Sequence, residues 1–129
     1  MLQTTSKPPS VYLVDDDQAL RVALKFSLEL EGFSVATFES GEDLLRAQLP
    51  HRGGCLVLDQ NLPGLSGLET LSVLRSRAVK LPALLITSHL AIGLRDTARI
   101  EGATVVEKPL LGDVLVRCIR LALNQARAD

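Results

Sequence analysis

Short apolar runs alternate with longer amphipathic stretches along this chain. The runs are Val11-Tyr12-Leu13-Val14, residues 33–38, Cys55-Leu56-Val57-Leu58, Ala83-Leu84-Leu85-Ile86 and Ala103-Thr104-Val105-Val106. The central run is too short for a helix and is bounded by Gly53-Gly54 and Pro63, so it reads as a buried strand. The other four read as strands on the same pattern. A helix is predicted from the first run's end to about Glu31, where Gly32 stops it. Its polar residues Gln18, Arg21, Lys25 and Glu29 fall on one row, the expected solvent stripe. Ser40-Gly41-Glu42-Asp43 caps a short helix to about residue 49, and Ser66-Gly67-Leu68-Glu69 is a capping box that opens a third helix to about Arg77. Residues 90–101 predict a weak helix, because Gly93, Thr97 and two isoleucines lower its propensity; Gly102 ends it. The last helix, about 111–126, has a polar row at Asp113, Arg117, Arg120 and Asn124 and is otherwise mostly apolar, with Val116 and Leu123 the expected extras beyond the core side.

Five apolar strands alternating with five helices mean an α/β chain with a parallel sheet covered on both faces. Residues 10–127 form one expected domain, and residues 1–9, ending in Pro8-Pro9, an expected flexible tail. With 129 residues, 47% hydrophobic and only 3% aromatic, the core is aliphatic. A net charge of −1 argues against non-specific nucleic-acid binding, which needs a clustered basic surface. Cys55 and Cys118 lack metal-ligand or CxxC spacing and read as reduced core thiols. No apolar run reaches membrane length and the first nine residues lack an export signal, so the expected location is cytoplasmic.

In an open parallel sheet, ligands bind beyond the carboxyl ends of the strands. The strand ends here carry Asp15, Asp16 and Asp17, then Glu39 and Ser40, then Asp59, then Thr87, then Lys108. Clustered carboxylates repel unless a cation or proton is shared, and a hard divalent ion such as Mg²⁺ takes oxygen ligands and pairs with phosphoryl oxygens. A carboxylate such as Asp59 can carry a phosphoryl group covalently, with Thr87 and Lys108 as donors to its oxygens. Asp17 reads as the N-cap of the first helix. His51 reads as a loop residue. His89 reads as a solvated loop residue, with the competing reading that it and Asn61 shape water access to the site.

Val14-Asp15-Asp16, Asp59 followed by Pro63 and Gly67, Thr87, and Lys108-Pro109 together resemble the receiver domain of two-component response regulators, most of all the NarL/FixJ group. The resemblance covers about residues 11–124. It implies a flavodoxin-like (βα)5 three-layer sandwich with strand order 2-1-3-4-5. It implies that Asp59 is the phosphoacceptor for a sensor histidine kinase or histidine phosphotransfer protein. It also implies that Mg²⁺ or Mn²⁺ is ligated by Asp16, Asp59 and the backbone carbonyl of Asn61, with Asp15 acting through a metal-bound water. Thr87 would bond the phosphoryl group and Lys108 would pair with it, placed by a cis Lys108–Pro109 bond.

One departure is Val105, three residues before Lys108, where receivers usually carry Tyr or Phe as a rotamer switch. The weak fourth helix is then the expected responsive element. A homodimer is expected on the face of the fourth helix, fifth strand and fifth helix. A competing enzyme reading rests on Asp15-x-Asp17, which resembles haloacid-dehalogenase-like phosphatases with Asp15 as nucleophile; Ala19 and the lack of a later acidic pair weigh against it. A third reading is an unphosphorylated pseudo-receiver, which the intact set of residues opposes.

Overall fold

A computed structural model describes residues 7–128; the first six residues of the expected tail lie outside it. Five strands, β1 (Ser10–Val14), β2 (Ser34–Phe38), β3 (Gly54–Asp59), β4 (Ala83–Thr87) and β5 (Ala103–Glu107), pair in parallel in the order β2-β1-β3-β4-β5. The helices between and after them are α1 (Gln18–Leu30), α2 (Gly41–Leu45), α3 (Gly67–Ser76), α4 (Leu94–Ile100) and α5 (Val114–Ala128).

The period-two alternation of β3 sorts the core into two layers. Leu56 and Leu58 pack with Leu44, Leu71, Leu74 and Ala98 beneath α2, α3 and α4. Cys55 and Val57 pack with Leu28, Leu115 and Ile119 beneath α1 and α5. Every residue of β3 is buried, as a strand covered on both faces requires. Strand order reverses between β1 and β3, so the crevice at their carboxyl ends is the topological switch point.

Three helices are shorter at one end than the sequence predicts. After Leu45 the backbone tightens, with the Arg46 and Ala47 N–H groups donating to Asp43 and Leu44 carbonyls three residues back, and the Arg77 guanidinium takes the Leu45 carbonyl at 2.6 Å. Gly93 adopts φ 82°, so α4 starts only at Leu94. Gly112, at φ 60°, similarly delays α5.

The outward face of α1 also differs from the expected polar stripe. Arg21 is drawn against the sheet end, with only 11% of its side chain exposed, because its Nη1 donates to the Asp15 carbonyl at 2.7 Å and its Nη2 lies 3.8 Å from Glu39. Leu24 and Leu28 follow it inward. Val22, Phe26 and Leu30 are left exposed at 61%, 66% and 72%. On α5 the polar row Asp113, Arg117, Arg120 and Asn124 is exposed as expected. Val116 and Leu123 are instead half-buried against the core, and Leu121 is the exposed extra. No helix among the described residues is long and apolar enough to cross a membrane.

Candidate functional site

The carboxyl ends of β1 and β3 bring Asp15, Asp16 and Asp59 together, with one carboxylate oxygen of each within 4.8 Å of the others. Asp15 and Asp59 are buried and Asp16 is exposed. Local turns aim the two buried carboxylates. The Asp17 N–H donates to Asp15 Oδ1 at 2.9 Å, and the Asn61 N–H donates to Asp59 Oδ1 at 3.0 Å. Asp17 itself caps α1, its carboxylate accepting from the Leu20 N–H at 3.2 Å, so it serves the helix as expected.

Lys108 enters from the end of β5. Its backbone N–H donates to the Thr87 carbonyl at 2.8 Å, and the peptide bond to Pro109 is cis. Its Nζ lies 3.4 Å from Asp59 Oδ2 and 3.9 Å from Asp15 Oδ2. One ammonium therefore faces two buried carboxylates, with the exposed Asp16 beside them. Burial lifts the pKa of Asp15 above the ordinary carboxylate value; the Asp17 N–H opposes the shift, the charge of Asp59 adds to it, Lys108 opposes it and Asp16 adds a smaller push. A site made of oxygen donors with surplus negative charge fits a hard divalent cation, which would relieve that repulsion. The geometry thus brings together five of the six residues singled out for the site: Asp15, Asp16, Asp59, Lys108 and, through its backbone, Asn61.

Thr87 ends β4 fully buried, but its hydroxyl serves its own turn. Thr87 Oγ1 donates to the His89 carbonyl at 2.9 Å and accepts from the His89 N–H at 3.1 Å. Val105 is buried in the layer beneath α4. Arg95 of α4 reaches across to β5, donating from Nη1 to the Val105 carbonyl at 3.2 Å and from Nη2 to Glu107 Oε1 at 3.5 Å.

Several positioning groups escaped sequence reasoning. Glu42, at the start of α2, accepts from the Leu65 N–H at 3.1 Å and so holds the β3–α3 loop. The Gln60 side chain accepts from the Leu68 N–H at 2.9 Å, and the Gln60 N–H donates to the Ile86 carbonyl at 2.7 Å. The Glu42–Leu65 and Gln60–Ile86 contacts join segments far apart in sequence, so no local motif announces them. Gly67 lets α3 start against the strand: a Cβ there would lie 2.6 Å from the Asp59 carbonyl oxygen and 2.7 Å from Leu85 Cδ1.

Comparison with known proteins is consistent with this geometry. The family profile of the response regulator receiver domain matches residues 11–120. The transcriptional regulatory protein FixJ of Bradyrhizobium diazoefficiens is 36% identical over 117 residues, covering 90% of this chain and 57% of that protein. The C4-dicarboxylate transport transcriptional regulatory protein DctD of Pseudomonas aeruginosa is 39% identical over 118 residues, 91% of this chain and 26% of that protein. The crystal structure of FixJ-N superposes with a TM-score of 0.82 at 32% identity, covering 92% of this chain and 96% of that one. The chain thus spans about half the length of the FixJ relative and about a quarter of the DctD relative.

Proposed function

The chain belongs to the response regulator receiver family, and on that premise we propose that Asp59 accepts a phosphoryl group from the phosphohistidine of a sensor histidine kinase or phosphotransfer protein. An Asp59 carboxylate oxygen forms the new P–O bond while the P–N bond of the donor breaks, leaving the imidazole to the donor. The observation that carries this reading is the pairing of buried Asp59 with Lys108 at 3.4 Å inside a three-carboxylate cluster.

Asp16, Asp59 and the Asn61 carbonyl would ligate Mg²⁺ or Mn²⁺ directly, with Asp15 holding it through a bound water. Such an ion, when bound, offsets the charge of the cluster and of the incoming phosphoryl oxygens. Lys108 takes one phosphoryl oxygen. Thr87 takes another by exchanging its bonds to His89, which couples the site to the β4–α4 turn. Autophosphorylation from small acyl phosphates and autodephosphorylation belong to the same chemistry.

The donor docks along α1. That helix begins at its cap Asp17, beside the acidic cluster, and presents Val22, Phe26 and Leu30 on one exposed row. A homodimer through α4, β5 and α5 is a further part of this reading, supported by exposed Ile100 and Leu121. The phosphatase-like reading with Asp15 as nucleophile finds no support in the receiver match.

Intact mass after incubation with acetyl phosphate and Mg²⁺ tests the proposal. Wild type gains one phosphoryl group and Asp59→Asn gains none. Labelling that survives Asp59→Asn but disappears in Asp15→Asn would overturn it. Absence of labelling together with absence of Mg²⁺ and beryllofluoride binding would make the chain a pseudo-receiver.

A further inference from the structure

The amino ends of the strands carry the opposite charge to the carboxyl ends. A broad groove of about 1730 Å³ lies there, walled by Ser10, Gly53, Gly54 and Pro82 where the strands enter. Its cations are Lys7, Arg52, Lys80, Arg120 and Arg127, joined by the imidazole of His51. Its lining holds one carboxylate, Glu31, and that group is already engaged by Arg120 at 3.3 Å. Between the charges lie apolar Tyr12, Leu49, Pro50 and Leu123, beside polar Gln48 and Asn124.

This concentration is not a sample of the whole surface. Elsewhere Arg21, Arg46, Arg95, Arg99 and Arg117 each have a carboxylate partner. Arg75 and Arg77 bond backbone carbonyls. Among the described residues, Lys7, Arg52, Lys80 and Arg127 have neither a carboxylate partner nor a side-chain hydrogen bond to backbone, and outside the groove Lys25 shares that condition. On a chain of net charge −1, four of the five such cations are gathered in one groove whose lining mixes apolar and polar side chains.

We propose that this groove docks an acidic polypeptide segment whose carboxylates alternate with apolar side chains. Positive potential over a low-dielectric surface attracts such a segment, and its apolar residues supply the burial that charge alone lacks. A single-stranded nucleic acid fits less well, because it needs free aromatic platforms for its bases. Phe33 is buried, with Arg120 Cζ stacked 5.5 Å from its ring centroid, and Tyr12 is half-buried. Because the strands are parallel, the groove and Asp59 lie at opposite ends of the sheet. The segment therefore binds without blocking phosphoryl transfer, and binding does not depend on the proposed chemistry.

Fluorescence anisotropy with a labelled peptide of repeating Glu-Glu-Leu tests the proposal on the full chain. The peptide binds wild type, and Arg52→Glu combined with Lys80→Glu weakens it by about tenfold or more, with a steep loss at high salt. Arg52→Ala and Lys80→Ala, with melting curves recorded beside them, give the same ranking should charge reversal disturb folding. Lys25→Glu, a charge reversal on α1 outside the groove lining, leaves binding within about twofold at physiological salt, where exposed charges are partly screened. The proposal is overturned by absence of binding, by binding that ignores the groove variants, by equal loss in Lys25→Glu, or by tighter binding of a thymidine oligonucleotide of the same length.

Discussion

Lys108 Nζ stands 3.4 Å from Asp59 Oδ2, across 49 residues of sequence, and 3.9 Å from Asp15 Oδ2. Among the described residues, the lysine is the cation paired with the two buried carboxylates, and its charge offsets part of their mutual repulsion.

Removing that cation leaves the cluster uncompensated. Lys108→Ala lowers stability in EDTA by about 1 kcal/mol, a loss moderated by the partial exposure of the lysine. The melting temperature falls by about 4 °C. Saturating Mg²⁺ narrows the gap, because the ion binds only the folded site. Equal loss with and without Mg²⁺ would show that Lys108 acts through packing.

Asp15 is destabilising when ionised, and the sign follows from its surroundings. Burial, with the charges of Asp59 and Asp16, raises its folded pKa above the unfolded value of 3.8. The penalty is in full force at neutral pH and fades as pH falls through the raised folded pKa. In EDTA, Asp15→Asn therefore melts a few degrees above wild type at pH 7, and the gap closes on acidification. Mg²⁺ reverses the order at pH 7. A gap constant from pH 7 to pH 4 would remove ionisation as its cause.

Gly67→Ala drives a methyl group into the Asp59 carbonyl and Leu85. Neither can yield freely, since one is backbone and the other is in the core. We expect a cost of about 1–3 kcal/mol in urea unfolding and a slower labelling of Asp59. Unchanged stability would mean that α3 shifts without strain.

Phe26→Glu separates donor docking from chemistry. Acetyl phosphate labels the variant at the wild-type rate, because Phe26 is far along α1 from its cap. Transfer from a cognate phosphohistidine protein slows by about tenfold or more, as for loss of an interface aromatic anchor. Equal transfer rates would place the donor on another face.

The sheet was legible because apolar runs of strand length alternate with capped amphipathic helices, and because parallel strands buried on both faces need no polar alternation. The candidate site was legible because each of its side chains stands at the end of a strand, where position in sequence translates into position in space. The predicted caps at Asp17, Ser40 and Ser66 all form, since capping is decided within four residues.

What needed tertiary structure was every choice between locally equivalent alternatives. Leu20, Leu24 and Leu28 and Val22, Phe26 and Leu30 are two apolar rows of the same spacing on α1. The row packed into the core beneath α1 is the one carrying Leu24 and Leu28, and the bond from Arg21 to the Asp15 carbonyl accompanies that orientation. The late start of α4 follows from the left-handed Gly93, a conformation that sequence permits but does not compel. The Thr87 hydroxyl is bonded to the backbone of His89, a turn the sequence did not announce. Glu42 holds the Leu65 N–H, and cations from the tail, the α2–β3 loop, the α3–β4 loop and α5 line one groove, because distant segments converge there. Local pattern determined the elements, their order and the residues at the carboxyl edge. Only three-dimensional packing, which sums contacts over the whole chain, decided which way the helices face and which charges go unanswered.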